Sequence, residues 1–526
     1  MRSLLSSALV LSVFTSALLA QPEEDLIRQD ALKADVYFLS SQELAGRKTA
    51  SHEARIAANY IAAEFMRLGL KPLGDEGSYF QNFDLTLAAQ DDANTSLSVH
   101  RGVNDKTYQL GHDFDLTWLT QTTNPTTVSG PLVFLGHGIS APEYGYDELS
   151  GLDLRGKIVI ILPHEPQERD AASKFKGKWH TYHAYDQLKY ELIRKAGAAG
   201  ILEVEEKIQH RPPALSNAPR QDWFPNAIYS LTEYWDLPVF EITEEVANEL
   251  LASSGKTVEE LRRDIDSDLK PRSFPLSGVT ATMRKSYSNR RVVQARNVLG
   301  LLEGSDPKLR NEYVVVSAHY DHLGTVGDRT QFGADDNASG VAALLESARA
   351  LAAAKTRPRR SILFVSFDSE EEGLLGSFYY ARHPVLPIAE ASAVLNMDMI
   401  GRNEDTPTWK LAPAYTARSV NLVGTLYSSD LRRIAEEANR SIGLNLDFKT
   451  DAEDKEEWLA RSDQYVFSTL GVPAILFNTG EHPDYHTEND TWDKLNYLKL
   501  EQITRLIYRI ALSTADIDSR PQFNPN

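Results

Sequence analysis

Short apolar runs alternate with helical segments over the second half of this chain, and this alternation constrains the fold most strongly. Predicted buried strands include YVVVS at 313–317 and Ser361–Phe367 (SILFVSF), followed by 393–397 and 473–477. Residues 339–351, between the first two, are rich in Ala and Leu and are predicted to form a helix. Strands that alternate with helices form a largely parallel sheet covered on both faces. The sequence therefore predicts an α/β fold.

The composition limits the kinds of site that the chain can build. Its 526 residues include no cysteine, which excludes disulfides, thiolate catalysis and cysteine-ligated zinc or iron–sulfur centres. Any metal must therefore be held by His, Asp and Glu. The chain has 55 Lys and Arg residues against 74 Asp and Glu residues, so its formal net charge is −19. This balance argues against a general binder of nucleic acid or anionic membranes, which needs a basic surface.

The N-terminal segment has the pattern of a secretory signal peptide. Arg2 supplies a positive start, residues 4–19 are mostly apolar, and small residues lead to a predicted cleavage near Ala20. Elsewhere no apolar run approaches the ~18 residues that a membrane-spanning helix requires. We therefore expect export to the periplasm or the extracellular space, and no membrane span in the mature chain.

Changes of pattern along the chain predict four parts. Residues 1–20 are the expected signal peptide. Residues 21–127 begin with helix-rich sequence and belong to a larger domain that resumes at 276–526. Between them, runs such as GKIVIIL predict a separate β-rich unit at 128–275.

Polar side chains gather just beyond the C-terminal ends of the predicted strands. They occur in HYD at 319–321, GADDNASG at 333–340, DSEEEG at 368–373, and at Asp398 and His486. Ligands of open α/β sheets bind outside the carboxyl ends of the strands, so we expect these groups at one edge. Each alone has a simple explanation, such as an N-cap Asp or a solvated Glu run. So many like charges together need compensation, and nitrogen and oxygen ligands suit Zn²⁺ first, with Mn²⁺ or Co²⁺ as alternatives.

These motifs resemble those of zinc-dependent aminopeptidases in which one Asp bridges two metal ions. The resemblance is to the exported bacterial branch of the transferrin receptor-like and glutamate carboxypeptidase-like superfamily, which carries an inserted protease-associated domain. It covers most of the mature chain and rests on HYD, GADDNASG, EEEGLLGS (370–377), NMDMIG (396–401) and DYHT (484–487). In the inserted unit, KAGAAGIL at 195–202 resembles the protease-associated domain. The resemblance implies a three-layer α/β/α peptidase domain with a mixed, mostly parallel sheet, and a β-rich protease-associated domain at 128–275.

The resemblance also implies the metal ligands. His319 and Asp398 would hold one zinc ion, Glu371 and His486 would hold the other, and Asp336 would bridge the two. The family pattern sets these registers, because chemistry alone does not choose between the two adjacent aspartates or among the three adjacent glutamates.

The remaining roles follow from the same resemblance. Glu370 would be the general base for a water molecule activated by the two metals. Asp321 would accept the free ring N–H of His319 and fix its tautomer. Tyr485 is a candidate substrate contact, whereas the nearby His322 and His482 are not expected to bind metal. The implied activity is removal of N-terminal residues from peptides that have a free N-terminus.

Other interpretations remain open from the sequence. A carboxypeptidase or another amide hydrolase, including a glutaminyl cyclase, shares this scaffold; cyclases of this kind use one zinc, and a carboxypeptidase needs a basic pocket. A non-catalytic, receptor-like binding protein would have lost metal ligands, yet every implied ligand position is filled here. A serine hydrolase is not supported, because no G-x-S-x-G elbow is present.

Overall fold

The computed structural model describes residues 22–117, 123–168, 170–175, 180–205, 227–232, 237–404, 413–452 and 458–524. The expected signal peptide at 1–20 lies outside these residues. Within the described ranges, no helix combines the length and apolar character needed to cross a membrane.

The described residues form helices and strands that follow one another in chain order. Helices α1 to α12 span Gln29–Leu39, His52–Arg67, Asp186–Lys195, Glu244–Leu251, Val258–Asp268, Gly340–Ala352, Leu375–Arg382, Pro413–Thr416, Ser429–Asn439, Lys449–Ala452, Gln464–Ser468 and Tyr497–Asp516. Strands β1 to β22 span Lys71–Pro72, Phe80–Gln90, Ser96–Arg101, Asn104–Tyr108, Phe114–Leu116, Thr126–Phe134, Ser140–Ala141, Tyr146–Asp147, Ile158–Ile161, Gly200–Val204, Ala227–Leu231, Val239–Ile242, Phe274–Lys285, Tyr287–Leu302, Tyr313–His319, Gly324–Val326, Arg329–Gln331, Ser361–Phe367, Ala391–Met397, Ser419–Val423, Asn445–Asp447 and Ala474–Asn478.

The larger sheet has ten strands in the order β11-β2-β14-β18-β15-β19-β22-β20-β21, with β1 beside β14. Its four central strands, β18, β15, β19 and β22, are parallel neighbours. The flanking pairs of β14 with β18, β2 with β14, and β20 with β22 are antiparallel. The prediction of a mixed α/β sheet is confirmed, and the parallel pairing is concentrated at its centre.

Helices cover both faces of this sheet. Successive side chains of each strand point to opposite sides, so each central strand contributes to two cores. In β15, Val314 and Val316 pack into a core with α1, α2, α6, α9 and α12. Tyr313 and Val315 face the other way and pack with Tyr380 of α7 and Phe467 of α11. The predicted three-layer α/β/α arrangement is confirmed.

A second sheet of eight strands has the order β4-β3-β13-β6-β9-β10-β12-β5. Its strands lie between residues 96 and 285, a wider stretch than the predicted 128–275, and the described residues of that stretch other than β11 form the second unit. Strand β11 lies within that predicted span but pairs with β2 of the larger sheet. The difference has a physical reason: alternation of apolar residues predicts a strand, but its partner depends on contacts with residues far along the chain. Whether this unit is a protease-associated domain stays a prediction.

Candidate metal centre

The parallel centre of the larger sheet brings the implied site residues to one edge. His319 is the last residue of β15, Glu370 and Glu371 follow β18, and Asp398 follows β19. Parallel strands place their carboxyl ends at the same edge, so three of the five polar segments meet there for topological reasons. The remaining two arrive from the turn before α6, which carries Asp336, and from the loop after β22, which carries His486.

The turn that carries Asp336 requires a glycine at its start. Gly333 has a φ of 58°, and a Cβ there would lie 2.1 Å from the carbonyl oxygen of Asp336. Residues Ala334–Ser339 form a turn before α6, and Asp336 and Asn337 within it have non-helical backbone angles. Gly333 therefore lets the backbone turn tightly enough to place the Asp336 side chain at the sheet edge.

Two groups of potential ligands share the carboxylate of Asp336. Its Oδ1 lies 3.3 Å from His319 Nε2, which is also 3.3 Å from Asp398 Oδ1. Its Oδ2 lies 3.0 Å from His486 Nε2, which is 3.4 Å from Glu371 Oε2. The structure thus brings all five implied ligands together, with Asp336 between the two groups.

The donor set fits divalent zinc in both chemistry and spacing. Each group offers one imidazole nitrogen and carboxylate oxygens, and tetrahedral ligands about 2.0–2.1 Å from zinc stand about 3.3 Å apart. Glu371 and Asp336 raise the pKa of His486 to about 10 although burial opposes this. Such a negative potential around an imidazole is what a bound cation neutralises.

His322 also reaches this centre, which the sequence did not lead us to expect. Its Nδ1 lies 2.6 Å from Glu371 Oε1 and 3.8 Å from Asp336 Oδ2, so it forms a third group with them. The 2.6 Å separation is a hydrogen-bond distance and is shorter than the spacing of two ligands on one zinc ion. We therefore interpret His322 as a group that orients Glu371, and His486 as the ligand.

His482 lies beside the centre without entering either group. Its Nε2 is 3.3 Å from Asp335 Oδ2. The other oxygen of Asp335 accepts a hydrogen bond of 2.6 Å from the backbone N–H of Gly401. The two adjacent aspartates thus face different partners, and only Asp336 faces the imidazoles of His319 and His486.

Asp321 braces the site through several contacts. Its Oδ1 accepts from the backbone N–H of Glu370 at 3.1 Å, and its Oδ2 accepts from the hydroxyl of Thr49 at 2.8 Å. His319 Nδ1 lies 3.7 Å from this carboxylate and 3.2 Å from the backbone carbonyl of Asp321. The backbone carbonyl is therefore the nearer acceptor for the ring N–H that the sequence assigned to the side chain.

Glu370 is buried at the edge of the first ligand group. Its Oε2 lies 3.8 Å from His319 Nε2. Burial raises the pKa of Glu370 well above its ordinary value, and the nearby Asp398 and Glu371 carboxylates add to this against the pull of His319. A carboxylate with a raised proton affinity beside a metal pocket suits a group that accepts a proton.

Tyr485 stacks on the ligand His486, with ring centroids 3.8 Å apart. Burial raises the pKa of its hydroxyl well above the ordinary value. The hydroxyl is therefore neutral at physiological pH and can donate a hydrogen bond.

Two supporting residues were missed as functional candidates. Asp490 accepts the backbone N–H groups of Asp335 and Asp336, the latter at 3.1 Å, and so holds the turn that carries the shared ligand. Arg47 is buried and donates to the carbonyls of Tyr320 and Gly333 at 2.8 and 3.0 Å. No local pattern marks Asp490. Arg47 lies in the segment ELAGR at 43–47, and its contacts are with residues far along the chain, so the sequence does not show them.

Comparison with known families bears directly on these residues. Residues 297–511 match the model of peptidase family M28. Over these residues the chain is similar to peptidase family M28, and we call residues 297–511 the M28 domain. This M28 domain contains all five implied ligands and Glu370.

The M28 domain and its surroundings are similar to several known proteins. Aminopeptidase YwaD of Bacillus subtilis (strain 168) is 27% identical over 251 residues, which cover 46% of this chain and 49% of that protein. A probable zinc metalloprotease of Leptosphaeria maculans is 31% identical over 229 residues, covering 38% of this chain and 51% of that protein. The chain thus spans about half the length of these curated relatives. The solved aminopeptidase from Aneurinibacillus sp. strain AM-1 aligns with a TM-score of 0.45 and 20% identity over 95% of this chain and 96% of that chain.

Proposed function

We propose that this chain is a zinc-dependent aminopeptidase that removes N-terminal residues from peptides with the help of two zinc ions. The observation that carries the proposal is the Asp336 carboxylate, whose two oxygens face two different imidazole-containing groups at 3.3 and 3.0 Å. The M28 match over 297–511 and the relatives named for aminopeptidase and zinc metalloprotease activity support the reaction class.

In the proposed centre, His319 and Asp398 would hold one zinc ion, Glu371 and His486 would hold the other, and Asp336 would be shared by both. Zinc bound there supplies Lewis acidity that makes water nucleophilic at neutral pH and polarises the scissile carbonyl. Mn²⁺ or Co²⁺ would suit the same nitrogen and oxygen donors.

Glu370 performs the proton transfers in this proposal. Its carboxylate takes a proton from the attacking water and gives it to the leaving amine as the peptide bond breaks. Its place beside His319 keeps it within reach of the pocket without occupying a ligand position.

Tyr485 is proposed to donate a hydrogen bond from its hydroxyl to the substrate carbonyl oxygen as negative charge develops there. Its stacking on His486 fixes the direction of its ring. The phenol stays protonated because burial raises its pKa, so the donor is present throughout the neutral range.

The charge around the centre favours a free amino terminus over a carboxyl terminus. The centre is rich in carboxylates, and two arginines near it are paired with carboxylates: Arg461 with Glu481 at 2.8 Å and Arg402 with Asp484 at 2.9 Å. A cationic α-amino group gains from this field, whereas a terminal carboxylate is repelled.

We further propose that residues 1–20 direct export and that the second unit is a protease-associated domain.

The test is hydrolysis by the mature chain of aminoacyl-p-nitroanilides, their N-acetylated counterparts and peptides with a C-terminal reporter. We expect hydrolysis of the free-amino substrates only, loss of that activity with a chelator, and recovery with zinc. Activity on C-terminal reporters, or none on free-amino substrates with two metals bound, would replace the proposal with a carboxypeptidase or another amide hydrolase. Absence of both metal and activity would favour a receptor-like protein.

A further inference from the structure

A cluster of two histidines and one glutamate lies in the second unit, outside the M28 domain. His164 follows β9 by a few residues, and His180 begins the segment that leads into α3. Both histidines are buried, and Glu168 stands between them half-buried. One ligand atom from each of the three lies within 4.8 Å of the other two.

The distances within this cluster match ligands around one ion better than a pair of strong hydrogen bonds. His164 Nδ1 lies 3.2 Å from Glu168 Oε2, and His180 Nε2 lies 3.3 Å from Glu168 Oε1. Charged hydrogen bonds of this kind are usually about 2.7–2.9 Å long, whereas tetrahedral zinc ligands stand about 3.3 Å apart. Both distances are close to the 3.3 Å between the His319 nitrogen and the carboxylates of the M28 centre.

The polypeptide around the cluster is held in place by its own contacts. Glu165, next to His164, accepts the backbone N–H of Thr181, next to His180, at 2.9 Å. This contact holds the two histidine-bearing segments together. The two imidazole rings lie 4.2 Å apart between centroids.

We propose that His164, Glu168 and His180 form a further site for a divalent metal ion, with zinc as the preferred occupant. The ligand set of two imidazoles and one carboxylate suits zinc, with a water molecule completing four-coordination. The site shares no residue with the proposed M28 centre, and it lies beside the eight-stranded sheet of the second unit.

The position of the site indicates a structural role. From His180 the chain runs directly to residues that contact the M28 domain: the Tyr182 hydroxyl donates to the carbonyl of Ser468 at 3.1 Å, and Tyr185 packs on Tyr465. Both partners lie in or at the end of α11. A metal at the cluster would tie this contact segment to the end of β9 and so brace the second unit against the M28 domain.

Metal content per chain tests the proposal without reference to activity. The mature protein, its His164→Ala/His180→Ala variant and a His112→Ala control would be saturated with zinc, passed over a desalting column and analysed by mass spectrometry. His112 is an exposed histidine of the same unit that contacts Asp113 at 2.8 Å. We expect the double variant to hold one zinc ion fewer than the parent and the control to match the parent. Equal zinc in parent and double variant would overturn the proposal, whatever number the M28 centre holds.

Cobalt provides a second readout that separates this site from the M28 centre. In a His319→Ala/Asp336→Asn background, Co²⁺ should still give the visible absorption of a four-coordinate site, and adding Glu168→Gln should abolish it. Glu168→Gln is nearly isosteric and keeps both histidines, so it also serves if the alanine variant does not fold. Absence of Co²⁺ absorption in the His319→Ala/Asp336→Asn protein, or its persistence with Glu168→Gln, would contradict the proposal.

Discussion

Among single residues, the carboxylate shared by the two ligand groups decides how the centre can hold two metal ions. Asp336 and Asp335 are adjacent and both buried, yet only Asp336 faces imidazoles of both groups, while Asp335 accepts from Gly401 and faces His482. A shared ligand affects both metals, whereas its neighbour should affect neither directly.

We therefore expect Asp336→Asn to lower the zinc content from two ions at the M28 centre towards none and to abolish hydrolysis. Asp335→Asn is the matched control, because Asn keeps the Oδ1 acceptor for Gly401 and should retain the zinc at this centre. Zinc per chain, compared with the parent protein, is the measurement. Zinc loss in Asp335→Asn with retention in Asp336→Asn would show that the register is wrong.

The base assignment is tested separately. Glu370→Gln keeps the shape of the side chain but cannot take a proton, so kcat should fall by about 10²–10⁴-fold while zinc content is unchanged. Glu372→Gln is the control, because Glu372 points towards Lys48 at 4.0 Å and belongs to neither ligand group. Full activity of the Glu370 variant in steady-state kinetics would remove Glu370 from the mechanism.

At the scale of elements, the site depends on buried braces that join the loops behind it. The Arg47 guanidinium donates to Tyr320, beside the ligand His319, and to Gly333, at the start of the turn that carries Asp336. Burial lowers the pKa of Arg47 to about 10, so it remains charged at neutral pH. One side chain thus fixes the relative position of two ligand-bearing segments.

Arg47→Ala should lower the free energy of unfolding by on the order of 3–5 kcal/mol, since it leaves several buried carbonyl groups without a donor. Arg47→Lys should recover only part of this, because an ammonium group cannot reproduce the planar fork of donors. Urea unfolding of both variants measures the effect, with exposed Arg28→Ala as the control. A loss in Arg47→Ala no larger than that of Arg28→Ala would show that the brace is not important.

Many of the strands and site motifs could be predicted from the sequence, and there are physical reasons why other features could not. The central strands and the motifs at their ends were predicted because each is a local pattern of apolar and polar residues. The contact of His322 with Glu371 was missed because it joins two loops that have no sequence relation. The bounds of the second unit were missed because β3, β4, β5 and β13 acquire their sheet only through partners far along the chain.

At the scale of the whole molecule, the second unit should make stability depend on pH. Burial raises the pKa of Glu148 to about 7, and its carboxyl lies against the Ile139 N–H and the Tyr146 hydroxyl. The unfolded chain releases this proton near its ordinary value of 4.5, while the folded chain keeps it to about pH 7. The folded state therefore binds more protons in this window, and its stability falls as the pH rises from about 4.5 to about 7.

Glu148→Gln removes that titration and should flatten the pH dependence. Thermal unfolding of the parent and the variant between pH 4.5 and 7 measures it, with exposed Glu259→Gln as the control. The difference in stability between parent and Glu148→Gln should shift in favour of the variant as the pH rises. A constant difference across this window would mean that Glu148 titrates alike in the folded and unfolded chains.

Asp336 is proposed to bridge two metal ions at the carboxyl edge of the parallel strands. Anomalous diffraction at the zinc edge, from crystals of the zinc-loaded mature protein, tests it most directly. We expect two anomalous peaks at the carboxyl edge of the sheet, about 3.5–4 Å apart on either side of Asp336. One should lie against His319 and Asp398, and the other against Glu371 and His486. A single peak there, or a second peak coordinated by His322 with His486 left aside, would contradict the account.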